Sequence, residues 1–265
     1  MKSRKDPLLE FNELTVFKGK KGRVLGPLSL KIHEGDNVAI LGPNGAGKSS
    51  LIKIITREYY PIPAAHGFSF RICGQERWDV FELRKLLGIV SNELQYTCTR
   101  DITGLDVILS GFFSSIGLSN QRPTSGMRNK ARQVIEFLEI GLLQHRNMDE
   151  MSSGEARRFL IGRALVHDPR ALILDEPANS LDLHARYKFI DMLRKIARAG
   201  TSIILVTHDL SDIIPEIGRV VLMKEGMLYR DGDKVAILTS RNISKLFGSS
   251  VAVKKSGGYY YALRS

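Results

Sequence analysis

Val38-Ala39-Ile40-Leu41-Gly42-Pro43-Asn44-Gly45-Ala46-Gly47-Lys48-Ser49 runs from an apolar stretch through a glycine-rich turn into a helical pattern. The four apolar residues, entered from the turn at Glu34-Gly35-Asp36, read as a buried strand. The glycines let the backbone wrap closely enough for its N–H groups to face one point, and a helix starting near Gly47 adds partial positive charge there. Lys48 can reach outer phosphates as a point charge, and Ser49 offers a hydroxyl to Mg2+. The stretch is a complete phosphate-binding loop set between a strand and a helix.

Working outward, short apolar runs alternate with helical patterns, which predicts a largely parallel sheet with covering helices. Ala171 to Leu174 and Ser202 to Val206 read as two further buried strands. Between them a helix is expected from about Leu183 to Ala199, with Tyr187, Ile190, Leu193 and Ala197 on its inner face and Gly200 as its stop. The segment before residue 40 and Phe68 to Cys73 look like antiparallel strands. From Leu105 to about His145 the pattern is helical, interrupted by Pro123 and Gly126. After Gly218 a hairpin (Arg219 to Met223, turn Glu225-Gly226, Met227 to Arg230) precedes a short helix and a terminal strand containing Tyr259 to Tyr261. The expected fold is an α/β P-loop NTPase core with a mostly parallel sheet and an N-terminal antiparallel part. One domain spans 1–265, with an inserted helical subdomain at about 95–150 and a C-terminal extension at 231–265.

The 265 residues are 43% hydrophobic and 25% charged, an ordinary globular composition. No apolar run approaches the ~20 residues needed to cross a bilayer, and Met1 to Glu10 lacks the apolar core of a secretory signal. A soluble intracellular chain is expected. Cys73 and Cys98 sit in no metal-ligand spacing and read as reduced thiols. The net charge of +11 could favour nucleic acid or an anionic membrane surface. Lys and Arg are spread along the chain, however, and the densest run (Lys18, Lys20, Lys21, Arg23) is short, so a solvated surface explains the charge.

A phosphate loop alone leaves kinases, GTPases and many ATPases open. Ala171-Leu172-Ile173-Leu174-Asp175-Glu176 narrows the choice, because an apolar strand ends there in two carboxylates. Asp175 suits the Mg2+ shell, and Glu176 can accept a proton from an attacking water. Next comes Met151-Ser152-Ser153-Gly154-Glu155, followed by a helical run from Ala156 to Val166. The Ser152 hydroxyl and the backbone N–H groups of a helix start make an anion site.

With these residues in order, the chain resembles the ATP-binding subunits of ABC transporters, from about Phe11 to Arg230. Residues 151–155 match the family's Leu-Ser-Gly-Gly-Gln signature in position, with Met151 for Leu, Ser153 for the first Gly and Glu155 for Gln. Asn179-Ser180-Leu181-Asp182 resembles the loop at the subunit interface, and Thr207-His208 the switch histidine that contacts the γ-phosphate. The resemblance implies that Gly42 to Ser50 bind ATP, with Phe17 the candidate to stack on adenine. It implies Lys48, Glu176 and His208 as catalytic, Ser49 and Asp175 as Mg2+ ligands, and Asn92 or Gln95 as the Mg2+-sensing amide. It further implies that Ser152, Ser153, Gly154 and Glu155 of one copy close over ATP in the other, with Ser180 and Asp182 at the homodimer interface. Val107-Ile108-Leu109-Ser110-Gly111-Phe112-Phe113 and Asn92 look most like a subgroup labelled molybdate- or iron-related. The expected role is to energise a transporter whose transmembrane subunits are separate, from the cytoplasmic face of the membrane. The alternative is a soluble ABC ATPase acting on nucleic acid, ribosomes or cofactor assembly. Val107, Ile108, Leu109, Phe112, Phe113 and Ile116 offer an apolar face that could receive a membrane subunit's helix or form the subdomain's own core.

Overall fold

The computed structural model describes residues 7–18, 22–61, 68–91, 94, 97–98 and 101–264. In chain order the elements begin β1 (Leu9–Phe17), β2 (Arg23–Ile32), β3 (Val38–Leu41), α1 (Lys48–Ile55), β4 (Ser69–Ile72), α2 (Val80–Leu86) and β5 (Leu87–Val90). Helices α3 (Gly104–Ser110), α4 (Ser125–Phe137) and α5 (Ser153–Leu165) follow, then β6 (Ala171–Asp175), α6 (Leu183–Arg198) and β7 (Ser202–Thr207). The hairpin β8 (Arg219–Lys224) and β9 (Met227–Asp233), helices α7 (Lys234–Ile237) and α8 (Ser240–Phe247), and the hairpin β10 (Val251–Ser256) and β11 (Tyr259–Arg264) close the chain.

The chain divides into two compact units, residues 1–80 with 202–265 and residues 81–201. The first unit carries an antiparallel sheet in the order β2-β1-β4 and a run of strands β7-β3-β8-β9. Strand β3 is parallel to both neighbours, with Val38 opposite Ile204 and Arg219, while β9 returns antiparallel to β8. Every residue of β3 and β7 is buried. A strand covered on both faces needs such an unbroken apolar run, which is why these segments show no alternation. The cross-strand bonds of β3 place the C-terminal ends of two segments far apart in the chain side by side.

In the second unit β5 and β6 pair in parallel, Leu87 opposite Ala171 and Val90 opposite Leu174. Helix α5 is buried nearly all round and is the centre of this unit. It comes close to its neighbours through glycines: a Cβ on Gly88 would lie 2.8 Å from the Ala164 carbonyl oxygen, and one on Gly111 2.4 Å from that of Arg163.

Two expectations about packing need correction. In α6 the buried face is Phe189, Ile190, Met192, Leu193 and Ile196, whereas Tyr187 is exposed. Counting back from Ile190 in steps of three reaches Tyr187, but at about 100° per residue that position lies about 150° round from the centre of the buried face, on the solvent side. Gly126 does not interrupt the helical pattern; it lies in the first turn of α4, behind the Thr124 cap. Of the two roles open to the 107–116 stretch, Val107, Ile108 and Leu109 take the subdomain's core: they are fully buried in their own unit, packed with α5. Ile116 stays exposed, and Phe112 turns its ring edge-on to His167 at 5.2 Å.

Candidate functional site

In the first unit the loop after β3 has the backbone its glycines allow. Gly45 and Gly47 sit at φ 81° and 94°, in the left-handed region where a Cβ is strained. At Gly42 the constraint is space, since a Cβ would lie 2.4 Å from the Met223 carbonyl oxygen. Helix α1 then starts at Lys48 behind Gly47, with no side-chain cap and no acid in its first turn. Its positive end is left to the backbone N–H groups. The Lys48 side chain is buried and curls back along the loop, donating to the carbonyls of Gly42 at 2.8 Å and Pro43 at 3.1 Å. Its ammonium is thus held inside the curve of the loop, while Asn44, Gly45 and Ser49 face outward.

Strand β7 brings a second group to this loop. Leu41 is opposite Thr207, and the Gly42 N–H donates to the Thr207 carbonyl at 3.3 Å. His208 therefore leaves the sheet beside the residue that opens the loop, at the carboxyl ends of two parallel strands where such folds bind ligands. Phe17 ends β1 opposite Arg23 and is 50% exposed, enough ring face to stack on a flat ligand.

In the second unit three sequence-predicted segments are packed into one cluster. Strand β6 delivers Asp175, and Glu176 follows at φ 48°. The Asn179 amide donates to Glu176 Oε2 at 2.6 Å, fixing that carboxylate. Arg157, buried on α5, donates to the Pro177 carbonyl and to that of Asn179 at 3.1 Å. Ser153 Oγ reaches the Ser180 carbonyl at 3.4 Å, and a Cβ on Gly154 would meet that of Ala185 at 3.0 Å. The start of α5, the carboxylate turn and residues 179–182 thus hold one another. Asp182 caps α6, accepting from the Ala185 N–H at 2.8 Å.

The N-terminus of α5 satisfies itself. Ser152 is the cap, accepting from the Glu155 N–H at 3.3 Å, while Glu155 Oε2 accepts from the Ser152 N–H at 2.9 Å and from its hydroxyl at 2.8 Å. These bonds hold the Glu155 carboxyl below its usual range. Ser153 is the first helical residue and is absent from the positive-φ positions, so a serine there is unstrained. Sequence reasoning passed over Arg157 and the Asn179 amide; the spacing of Asn179 three residues after Glu176 was a usable signal, whereas Arg157 gave none. Asn92 and Gln95 lie outside the described residues.

Among the described residues no group of three His, Cys, Asp or Glu side chains could hold a metal ion unaided. The Ser49 hydroxyl in the first unit and the Asp175 carboxylate in the second are hard oxygen donors, each of a kind that Mg2+ accepts.

Comparison with known proteins agrees with this chemistry. A family model described as ABC transporter matches residues 25–179. The uncharacterized ABC transporter ATP-binding protein YlmA of Bacillus subtilis (strain 168) is 33% identical over 239 residues, 87% of each chain. The hemin import ATP-binding protein HmuV of Aliivibrio fischeri is 28% identical, over 87% of each chain. Among solved structures, an inward-facing ABC transporter described as metal-chelate type shares the fold with a TM-score of 0.77 at 21% identity, covering 98% of this chain and 99% of that one. A dimeric ATP-binding cassette holding ADP and Pi in a post-hydrolysis state shares it with a TM-score of 0.68 at 24% identity, covering 85% and 98%.

Proposed function

This chain belongs to the ABC transporter family and is an ABC-type ATPase, and we propose that it drives an importer whose membrane-spanning subunits are separate polypeptides. The observation that carries the reading is the uncapped, acid-free start of α1 with Lys48 folded inside the loop and His208 leaving the neighbouring strand. It is an anion site with a cation already held within it.

In this proposal Gly42 to Ser50 hold the phosphates of ATP and Phe17 stacks on the adenine. Ser49 and Asp175 hold Mg2+, with Asn92 or Gln95 as the sensing amide; the ion, when bound, neutralises charge on the outer phosphates. Glu176, oriented by the Asn179 amide, accepts the proton of the attacking water, and His208 contacts the γ-phosphate. A second copy supplies Ser152, Ser153, Gly154 and Glu155, with Ser180 and Asp182 along the homodimer interface. Two such sites form in a head-to-tail dimer, and loss of the γ-phosphate contact reopens it. Residues of about 95–150 act as the subdomain that meets the membrane subunits, and 231–265 as an extension of the core. Relatives named for import of hemin and of zinc support this reading, as does the absence, among the described residues, of a helix long and apolar enough to cross a membrane. The hemin importer is also what supports placing the chain near the molybdate- and iron-related subgroup on the cytoplasmic face of the membrane.

One observation favours the soluble alternative. Lys234, Arg241, Lys245, Lys254, Lys255 and Arg264 are six cations in residues 234–265, a stretch with no Asp or Glu, against a net charge of +11 for the whole chain. Lys234 is buried, but the other five are exposed, and a basic surface suits an anionic polymer.

Glu176→Gln tests the core of the proposal. Turnover should fall by roughly 10²- to 10⁴-fold while ATP still binds, and gel filtration with Mg-ATP should show a persistent dimer. Only monomer in that experiment defeats the mechanism. Capture of a stoichiometric polytopic membrane protein by the tagged variant from detergent extracts supports transport; ribosomal proteins or nucleic acid in its place sink it.

A further inference from the structure

The C-terminal hairpin lies against the segment that follows His208. Strand β11 packs on the 3-10 turn Leu210–Asp212. Tyr260, 4% exposed, is the residue of β11 that turns inward, while Tyr261 faces out at 40%. The Lys234 ammonium lies 6.0 Å from the centre of the Tyr260 ring and donates to the carbonyls of Ile214 at 3.4 Å and Pro215 at 2.9 Å. Lys255, opposite Tyr260 in the ladder, lies 5.7 Å from the same ring. At the hairpin's turn, a Cβ on Gly258 would touch Pro215 at 3.3 Å. Lys234 and the hairpin therefore clasp residues 214–215 from two directions.

That segment is tied back to both neighbours of His208. Asp212, buried, accepts from the Thr207 hydroxyl at 2.6 Å. The same hydroxyl accepts from the Asp209 N–H at 3.0 Å, and Asp209 Oδ1 accepts from the N–H and hydroxyl of Ser211 at 2.9 and 2.7 Å. Leu210, Ile213 and Ile214 are fully buried beneath this network. A chain of packed side chains and short hydrogen bonds thus runs from the hairpin to the backbone on either side of His208, and such a contiguous rigid path can set where a side chain points.

We propose that Tyr260 and Lys234 are positioning residues for the ATPase reaction: the C-terminal hairpin braces the Asp212–Thr207 strut and so holds His208 in its working orientation. The proposal rests on the role given to His208 above. Small misplacements of a reacting group can cost as much as ~10²-fold in rate, so losing the brace costs turnover and not ATP binding, which the loop before α1 carries.

The test uses the full-length protein. Tyr260→Ala should lower kcat about tenfold with the dissociation constant for ATP unchanged. Tyr260→Phe should restore turnover, because the buried Tyr260 hydroxyl has no hydrogen-bond partner among the described residues. Tyr261→Ala, on the outer face, should be silent. In a His208→Ala background, Tyr260→Ala should cause no further loss, since groups acting as one unit are non-additive. An equal further loss in that background, or an unchanged kcat in Tyr260→Ala itself, overturns the brace. If His208→Ala alone leaves turnover intact, the role of His208 has failed instead. Should Tyr260→Ala not fold, Lys234→Met removes the ammonium but keeps an apolar stem, and is read against the same outcomes.

Discussion

Two helices of this molecule treat their N-terminal ends oppositely. Helix α1 starts behind Gly47 with no side-chain cap and no acid in its first turn. Helix α5 starts behind Ser152 with a complete capping box, so a carboxylate of its own already takes the positive end. A helix terminus can be stabilised by its own side chains or kept for a ligand, and the cap occupies the same N–H groups that an anion needs. In the proposed site the first helix gives up its cap to hold phosphate. The second folds as a satisfied element, and in the proposed dimer it meets phosphate only when a second copy brings it.

The comparison can be broken at Lys48. In Lys48→Ala the cation inside the loop is gone, and ATP affinity should drop by about ten- to hundredfold, the size of a charge-assisted contact. Titration calorimetry showing an unchanged dissociation constant would remove the loop from the site. Giving α1 the acid that α5 has is the sharper variant. Ser50 occupies the position in α1 that Glu155 occupies in α5, so Ser50→Glu should weaken ATP binding about tenfold through repulsion worth ~1 kcal/mol near a helix N-terminus. Its melting temperature without nucleotide should stay level or rise. Loss of both affinity and stability would mean that the end of α1 is not the open anion site.

The reverse exchange, Glu155→Gln, keeps the geometry of the box and removes its charge. The ATP-driven dimer should tighten several-fold, by the same ~1 kcal/mol scale, as read by equilibrium sedimentation. Because the carboxyl is held below its usual range, its contribution to stability is present above the unfolded value and lost as pH falls through the folded one. The glutamine variant should lack that acid-side loss. A weaker dimer would argue that the Glu155 charge aids closure.

The smallest effect lies away from both helix ends. His167 is half-buried, with its ring nitrogen Nε2 3.3 Å from the Gly111 carbonyl and its ring against Phe112. Burial pushes its pKa below 6.5. The unfolded chain therefore binds more protons than the folded one between 6.5 and the lowered value, so stability falls as pH drops through that window. His167→Gln should flatten this part of the curve in thermal melts, and an unchanged slope would assign it to other groups.

Much of the architecture is legible in the chain, for reasons local to each segment. Val38 to Leu41 and Ser202 to Val206 are unbroken apolar runs because both faces of their strands are covered, and the β8–β9 hairpin is announced by Glu225-Gly226, both at positive φ. The phosphate loop is legible because glycines at positive φ are demanded by its own curvature. Other features leave no local trace. Tyr187 fits the expected helix spacing but is exposed, while Tyr260 stands between two similar tyrosines and alone is buried. Burial depends on what packs opposite, which spacing does not encode. The basic C-terminal stretch was readable by counting, yet it is diffuse and forms no dense run.

By itself the amino-acid order determined the residues able to bind phosphate, the strands that carry them and the caps of α5, since each is set by neighbours within a few positions. Only the tertiary structure decided that Thr207 lies opposite Leu41, that Arg157 ties the start of α5 to the turn after Glu176, and that the hairpin ending the chain rests on the turn after His208. These contacts join residues from 20 to some 165 positions apart. Their partners are selected by buried area and hydrogen-bond satisfaction summed over whole elements, which no single stretch of the chain contains.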